Sequence, residues 1–258
     1  MAQLSAVIFD LDGTLVNTER LKAQSYARAA QTLSATPIDE QVFFDAFEDV
    51  VGRSRHEVGE ALMRRFQLEA GAQRAMGELG VASPLDAYLT IRLRIYDEIL
   101  ADPRIIPDNV FPHTLAVLRR AVEKGLATGL ATMSHREQTH RILETLGLFD
   151  AFDVIATRED VERGKPDPEI YIHVARHMNR PPEHCLVIED SVAGVEAGIA
   201  AGMTVVAVST PFTKERLIQA DLLPPEQLIH DPLLLTGLVD HLVFDAGRHH
   251  DDHQSVPR

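Results

Sequence analysis

VIFDLDGTL, residues 7–15, is the stretch that decides the predicted fold. An unbroken apolar run from Ala6 to Phe9 leads into Asp10, and a second carboxylate, Asp12, stands two positions later, before Gly13. Such a run is typical of a buried parallel strand, and open parallel sheets bind ligands beyond the carboxyl ends of their strands. A strand followed by an ordinary Asp-Gly turn is the alternative. Features later in the chain favour a functional strand end.

Length and composition narrow the class of protein. The 258 residues, 45% of them hydrophobic, suffice for one large domain or for a domain with an insertion. The formal net charge of −14 argues against nucleic acid or a membrane surface as a partner, because no basic stripe offsets the acid. The single cysteine, Cys185, excludes an internal disulfide. Without a signal-type start or an apolar run of ~20 residues, the chain is expected to be cytoplasmic.

Hydrophobic spacing divides the chain into a helical block and an alternating part. The spacing predicts helices over 18–34, 39–50, 54–68 and 84–100, with no strand among them and a looser connection at Gly71, Gly77 and Gly80. A proline-rich return linker covers 101–112. The elements predicted beyond it are helices over 114–124, 136–146, 168–178 and 192–200 and strands over 126–131, 152–156, 186–188 and 204–208.

The alternation of strands and helices predicts an α/β fold with a Rossmann-like open parallel sheet. The core of this fold is expected to comprise residues 1–16 and 105–245. The helical block, residues 17–104, is expected to be an all-helical cap domain inserted after the first strand. The His- and Asp-rich tail, residues 246–258, is predicted to be disordered.

Polar residues follow the predicted strands, where parallel strands end on one edge of a sheet. They are Asp10 and Asp12, Thr132 and Ser134, Lys165, and Glu189 and Asp190. Carboxylates from two strands, Asp10 and Asp190, form a hard oxygen site suited to Mg²⁺, and no His/Cys cluster competes for the ion. Thr132 can donate a hydrogen bond to a phosphate oxygen, and Lys165 supplies a positive charge. Phosphoryl transfer needs these groups, since its catalysis rests on positioning and charge neutralisation.

The motifs resemble those of the haloacid dehalogenase superfamily of aspartyl-phosphate phosphatases. DLDGTL at 10–15 is similar to its first motif, Thr132 to its second, Lys165 in GKPDP to its third, and Glu189-Asp190 in IEDS to its fourth. The resemblance covers about residues 4–245 and extends to the subgroup of β-phosphoglucomutases and phosphatases with a helical cap after the first motif. It implies a Mg²⁺-dependent phosphatase that hydrolyses small phosphomonoesters, with sugar phosphates as the expected substrates.

The resemblance also implies roles for the matched residues. Asp10 would attack phosphorus and become an aspartyl phosphate, while Asp12 would protonate the leaving alcohol and later activate water. Asp10, the Asp12 carbonyl and Asp190 would bind Mg²⁺, with Glu189 beside or within that shell.

Other residues are expected to hold the substrate. Thr132 and Lys165 would bind the phosphoryl group, and Ser134 and Thr14 would contribute to substrate binding. The expected partner is a small-molecule phosphate ester, bound by a monomer or a weak homodimer.

The predicted cap contains the basic loop VGRSR, residues 51–55. By resemblance this loop selects the leaving group, and Arg53 or Arg55 would clamp a second anion or sugar hydroxyls. The alternative is that a basic helix start is merely exposed to water.

Two departures from the family pattern bear on the reaction. Asn17 replaces an Asp of many relatives, and Lys22 stands where a His is often found. Sugar-phosphate mutases use that His and usually lack Thr14, so the pattern favours a hydrolase over a β-phosphoglucomutase-like isomerase, the alternative enzyme. Lys22 also keeps a phosphonate hydrolase open. A non-catalytic sensor of a phosphorylated metabolite would be marked by loss of Asp10 or Asp12, and both are present.

Overall fold

The predicted first strand lies inside a six-stranded parallel sheet in the computed structural model, which describes residues 3–51 and 54–245. The strands are β1 Ala6–Phe9, β2 Ala127–Ala131, β3 Val154–Ala156, β4 Cys185–Glu189, β5 Thr204–Val208 and β6 Leu228–Ile229. Their order across the sheet is β3-β2-β1-β4-β5-β6, and every neighbouring pair is parallel. The predicted α/β fold with a Rossmann-like open parallel sheet is thus confirmed.

The register of the strands determines which candidate residues lie at the same edge of the sheet. Phe9 pairs with Leu130 of β2 on one side and with Ile188 of β4 on the other. Asp10 and Glu189, which follow these paired positions, therefore stand at the same carboxyl edge of the sheet. Because neighbouring strands are about 4.8 Å apart, their side chains can meet there.

Helices account for most of the remaining described chain. They are α1 Thr18–Leu33, α2 Glu40–Glu48, α3 Arg55–Arg65, α4 Glu69–Leu79, α5 Pro84–Leu100, α6 Pro112–Glu123, α7 Arg136–Leu146, α8 Glu169–His177, α9 Val192–Ala200, α10 Lys214–Ala220 and α11 Leu235–Asp240. Within residues 3–51 and 54–245, no helix combines the length and the apolar character needed to cross a membrane.

The chain divides into two units, residues 1–16 with 110–258 and residues 17–109. The first contains the sheet and α6–α11, and the second contains α1–α5. The helical unit ends at residue 109. The sequence-based prediction puts this end at residue 104. The 3₁₀ turn Pro107–Asn109 belongs to the helical unit because the Asn17 N–H donates to the Asn109 carbonyl at 2.7 Å. The role of the helical unit as a cap domain stays a prediction, and the predicted disorder of 246–258 concerns residues outside the described ones.

The core of the sheet unit follows the alternation of side chains along its strands. Ala6 and Ile8 of β1 lie in one apolar cluster with Val174 of α8 and Val195 of α9. Phe9 points to the opposite side, where its ring meets Phe152 edge-on at a centroid distance of 6.3 Å. Helix α6 also packs against β1 and β2. The sheet is thus buried, which explains why its strands read as continuous apolar runs.

Helix α4 forms where the sequence predicts only a looser connection, so that prediction is wrong. Gly71 lies against the end of α1, and a Cβ at this position would collide with the carbonyl of Leu33. Gly80 has a left-handed backbone and forms the C-cap of α4. The two glycines therefore serve close packing and helix termination rather than a flexible loop. No prediction covers the short elements β6, α10 and α11.

Candidate active site

A tight turn after β1 brings the first motif close to Asp190. The Gly13 N–H donates to the Val16 carbonyl at 2.8 Å, and the N–H groups of Leu15 and Val16 donate to the Leu11 carbonyl at 2.9 and 3.0 Å. Gly13 has a φ of +86°, and a Cβ there would collide with the Asp190 carboxylate. Glycine therefore permits both the turn and the close approach of the acid.

Three buried carboxylates meet at the carboxyl edge of the sheet. Asp10, Glu189 and Asp190 each offer one oxygen, and these oxygens all lie within 4.8 Å of one another. They are the only group of three or more His, Cys, Asp or Glu residues with this geometry among the described residues. Buried carboxylates are costly unless cations or hydrogen bonds compensate them. The cluster therefore requires positive charge.

Lys165 supplies one such charge from the loop before α8. Its Nζ donates to Asp10 Oδ1 at 2.7 Å, to Glu189 Oε1 at 2.6 Å and to the Ala131 carbonyl at 3.0 Å, so all three of its hydrogens are engaged. Its side chain is only 5% exposed. Burial disfavours the ammonium form, but the carboxylates of Asp10 and Glu189 hold the pKa of Lys165 well above its usual value. Lys165 therefore stays protonated.

Glu189 is the acceptor that connects the parts of the site. Its Oε1 accepts hydrogen bonds from Lys165 at 2.6 Å and from the Tyr171 hydroxyl at 3.0 Å. Its Oε2 accepts from the Asp190 N–H at 2.8 Å, and from the N–H and hydroxyl of Ser191 at 2.9 and 3.0 Å. Burial raises its pKa, yet Lys165 and these hydrogen bonds lower the pKa of Glu189 below its usual value. A carboxylate has about four lone-pair sites, so five donors occupy it fully.

The Asp12 side chain contacts residues that follow β2. The Ser134 hydroxyl donates a short hydrogen bond to Asp12 Oδ2. The Thr132 hydroxyl lies 3.4 Å from the same oxygen and accepts from the Ser134 N–H at 3.0 Å. Thr132 and Ser134 thus hold the Asp12 carboxylate in a defined orientation.

The site fits a divalent cation. Burial raises the pKa of Asp10 to about 8 against the lowering influence of Lys165, and the negative charges of Glu189 and Asp12 add to the rise. A hard cation between Asp10 and Asp190 would stabilise the carboxylate form of both residues. Oxygen donors of this type suit Mg²⁺, and Glu189 is left as a hydrogen-bonded neighbour because its lone pairs are occupied.

The other residues that the sequence singled out lie in separate parts of the chain. The Thr14 side chain is fully buried, and its hydroxyl has no hydrogen-bond partner among the described residues. Lys22 pairs with Glu19 at 2.9 Å. Arg55 opens α3 in the helical unit. Arg53 lies outside the described residues.

Sequence reasoning missed two side chains, one beside the carboxylates of the sheet unit and one in the core of the helical unit. Tyr171 reads as an apolar position of α8, yet its hydroxyl reaches Glu189 and its ring lies 4.9 Å from Lys165 Nζ. Arg92 falls at an apolar spacing of α5 and is 4% exposed, which is rare for an arginine. The only sequence signal was a polar group on a predicted core face.

Comparison with known proteins gives consistent matches. The model of the haloacid dehalogenase-like hydrolases matches residues 4–202. The chain is 31% identical over 204 residues to the phosphorylated carbohydrates phosphatase of Thermotoga maritima, which covers 78% of this chain and 82% of that protein. It is 30% identical over 216 residues to the validoxylamine A 7'-phosphate phosphatase of Streptomyces hygroscopicus subsp. limoneus, with 84% of this chain and 91% of the relative covered.

A solved structure extends the comparison of the fold. The β-phosphoglucomutase of Clostridium difficile superposes with a TM-score of 0.64 at 23% identity, over 93% of this chain and 99% of that one. At this identity the likeness concerns the fold alone.

Proposed function

The chain belongs to the haloacid dehalogenase-like hydrolases, and on that premise we propose that it is a Mg²⁺-dependent phosphatase of small phosphomonoesters. The observation that carries the proposal is the convergence of four segments that are distant in the chain, which contribute Asp10 with Asp12, Ser134, Lys165 and Asp190. Sugar phosphates are the proposed substrate class, because the relative from Thermotoga maritima is named for phosphorylated carbohydrates.

Asp10 is the proposed nucleophile. One of its oxygens bonds to phosphorus while the ester P–O bond breaks, which leaves an aspartyl phosphate on the chain and releases the alcohol. Asp12 gives a proton to the departing oxygen, then accepts a proton from the water that attacks phosphorus and frees the Asp10 carboxylate. The hydroxyl of Ser134, which donates to Asp12, orients this acid for both transfers.

Lys165 and Thr132 are the proposed phosphate-binding groups. Lys165 already lies 2.7 Å from Asp10, so its charge is placed where phosphoryl oxygens would gather around the nucleophile. Thr132 and Ser134 present hydroxyl groups beside Asp12. Thr14, whose buried hydroxyl has no hydrogen-bond partner among the described residues, stays a proposed substrate contact.

Mg²⁺ would be held by the Asp10 and Asp190 carboxylates and by the Asp12 carbonyl. When bound, it supplies charge neutralisation and polarises the phosphoryl oxygens.

Selection of the leaving group is proposed to involve a basic and aromatic cluster of the helical unit, formed by Arg55, Arg92, Tyr26 and Tyr96. The Arg92 guanidinium lies 4.7 Å from the ring centroids of both Tyr26 and Tyr96. Among the described residues, its Nε has no hydrogen-bond partner. Burial lowers the pKa of Arg55, and the neighbouring charge of Arg92 lowers it further. The two neighbouring positive charges are suited to an anion or to sugar hydroxyls.

The substitution Asp10→Asn tests the proposal, since it removes the nucleophile and keeps the shape of the side chain. Release of inorganic phosphate from p-nitrophenyl phosphate and from a panel of sugar phosphates is measured with Mg²⁺ and after chelation. We expect the variant to lose at least about 10³-fold in kcat and the unsubstituted protein to lose activity on chelation. Asp150→Asn, an exposed carboxylate of the same unit, is the matched control.

The results separate the candidate functions. Undiminished turnover in Asp10→Asn, with an unchanged melting curve, would contradict the assignment of the nucleophile. Conversion of β-glucose 1-phosphate into an isomeric sugar phosphate, in place of free phosphate, would identify the isomerase instead. Phosphate binding without any turnover by the unsubstituted protein would identify a sensor.

A further inference from the structure

Two histidines form a pair on the surface of α8, outside the candidate active site. His173 and His177 are four residues apart, so their side chains lie on the same helix face. Their ring centroids are 4.2 Å apart and their planes are tilted by 30°. The core-facing residues of α8 are Ile170, Tyr171, Val174 and Ala175, while His173 is half-buried and His177 is exposed. The pair takes no part in the proposed reaction.

A hydrogen bond fixes the tautomer of His177. Its Nδ1 lies 2.8 Å from the His173 carbonyl oxygen. A carbonyl oxygen can only accept, so Nδ1 carries the hydrogen, and Nε2 of the neutral ring presents its lone pair outward. Histidines that bind metals are commonly oriented in this way, by a hydrogen bond from the second ring nitrogen to a carbonyl or carboxylate.

The surroundings of His173 favour a neutral ring. Burial lowers its pKa, and the nearby His177 and Arg176 lower it further, while Asp160 and Glu169 act in the opposite direction. A neutral imidazole is the form that binds metal ions. The remaining nitrogens of both rings have no hydrogen-bond partner within the part of the chain that the structure describes.

We propose that His173 and His177 form a binding site for a divalent transition-metal ion of the Zn²⁺ type. Two nitrogens bound to one tetrahedral ion at about 2.0–2.1 Å would lie roughly 3.3 Å apart. The ring centroids are already only 4.2 Å apart, so rotation of the His173 ring about χ2 can turn its Nε2 toward an ion at His177 Nε2, while His177 keeps its hydrogen bond. Histidine pairs at this helical spacing supply two ligands in known zinc motifs.

The ligand chemistry separates this site from the carboxylate cluster. Imidazole nitrogen suits Zn²⁺, Cu²⁺ or Ni²⁺, whereas carboxylate and carbonyl oxygens suit Mg²⁺. Among the described residues no third His, Cys, Asp or Glu joins the pair within 4.8 Å, because the only such group is the active-site trio. Water therefore completes the coordination, and the ion is expected to exchange readily. The inference stands independently of the proposed phosphatase activity.

The test compares Zn²⁺ binding by four full-length proteins: unsubstituted, His173→Ala, His177→Ala and His140→Ala. His140 is an exposed histidine on α7 and serves as the matched control. The chain has 12 histidines, so the number of bound ions is measured by equilibrium dialysis with excess Mg²⁺ present, and differences between variants are compared. Nitrogen-15 NMR of the histidine rings identifies the ligands.

We expect His173→Ala and His177→Ala each to bind one Zn²⁺ fewer than the unsubstituted protein, or to bind that ion more than about tenfold more weakly. His140→Ala should bind the same number as the unsubstituted protein. Zn²⁺ should shift the Nε2 resonances of both His173 and His177. The hydrogen on His177 Nδ1 should stay in place. Equal stoichiometry and equal affinity in all four proteins, or unshifted ring resonances, would overturn the proposal. Should either alanine variant melt early, His177→Gln provides the same comparison with a similar side-chain volume.

Discussion

Glu189 shows how one side chain can organise the proposed catalytic site without touching the substrate. Its two oxygens bind donors from three segments: Lys165 before α8, Tyr171 on α8, and the Asp190–Ser191 backbone after β4. Gly194, in the first turn of α9, packs against the Glu189 carboxylate, and a Cβ at this position would collide with it. Removal of a single donor should therefore disturb the position of Lys165 through Glu189.

The substitution Tyr171→Phe removes one such donor and retains the ring near Lys165. We expect a stability loss of about 1–3 kcal/mol, because Glu189 stays buried with one hydrogen bond fewer. We also expect kcat to fall by about 3- to 30-fold, since small displacements of a positioned group are costly in rate. Steady-state kinetics with p-nitrophenyl phosphate and urea unfolding measure the two effects.

Thr128→Val is the matched control for this variant. The hydroxyl of the buried Thr128 donates a part-buried hydrogen bond of 2.7 Å to the Ala151 carbonyl in the same unit, away from the carboxylates. It should lower stability by a similar amount, about 1–3 kcal/mol, and leave kcat within about twofold of the unsubstituted value. Equal kcat values in Tyr171→Phe and Thr128→Val would assign Tyr171 a purely structural role.

Between elements, a small polar network ties the start of α7 to the turn after β3. Glu159 accepts from the Arg136 N–H in the first turn of α7 at 3.0 Å and pairs with His135 Nδ1 at 2.6 Å. Arg136 in turn contacts Asp160, which closes the turn at Thr157. The turn and the helix start both follow strands that end at the proposed active site, so the network holds two of its loops together.

This network predicts a pH-dependent contribution to stability. Burial opposes ionisation of Glu159, but the hydrogen bonds from His135 and the Arg136 N–H lower the pKa of Glu159 to about 2. A carboxyl whose folded pKa lies below its unfolded value of 4.5 stabilises the fold above pH 4.5 and loses that contribution as the pH falls toward 2. The Glu159 side chain is 41% exposed, so solvent screening limits the contribution to about 1 kcal/mol.

Urea unfolding of Glu159→Gln at several pH values measures this contribution. The variant should be less stable than the unsubstituted protein at pH 6, and the difference should vanish as the pH is lowered through the range 4.5 to 2. Glu144→Gln, an exposed carboxylate near the end of α7, should show no comparable difference at pH 6. A constant gap between the Glu159 variant and the unsubstituted protein at all pH values would contradict the proposed linkage.

Helices and strands with a clear hydrophobic pattern were predictable from the sequence. The strand Ala6–Phe9, the helix Val192–Ala200 and the strand Thr204–Val208 were predicted with the observed bounds, because apolar runs or helical spacing stand between clear breaks. Helix α4 was missed since its glycines indicate loops, whereas Gly71 is required by the backbone of α1. Such a requirement arises only when the helices pack, so no local pattern reveals it.

For the molecule as a whole, convergence of the motifs was predictable because parallel strands end on one edge of a sheet. Asp10, Lys165 and Glu189 meet as that rule implies. Tyr171 and Arg92 were not predictable as polar participants, since their spacing is that of core residues. Tertiary packing gives Tyr171 its contact with Glu189 and Arg92 its contact with Tyr26, whereas Tyr96 lies one turn along the same helix as Arg92. Sequence motifs thus indicated the proposed reacting groups, and the structure added neighbouring groups that contact them.

The roles proposed above are divided between the two units. The carboxylates and Lys165 all belong to the sheet unit, and the basic and aromatic cluster of Arg55, Arg92, Tyr26 and Tyr96 belongs to the helical unit. Chemistry and leaving-group selection should therefore respond separately to substitution.

Arg55→Ala should lower kcat/KM by about 10- to 100-fold for substrates with a second anion or several hydroxyls, because a charged hydrogen bond is worth about 1.5–3 kcal/mol. It should change p-nitrophenyl phosphate turnover and the Mg²⁺ dependence by no more than about twofold, since neither depends on selecting a polar leaving group. Arg64→Ala, on the exposed face of the same helix α3, should leave the whole substrate profile unchanged. A uniform loss across all substrates in Arg55→Ala would place this arginine in the chemical step and would remove the basis for separate roles of the two units.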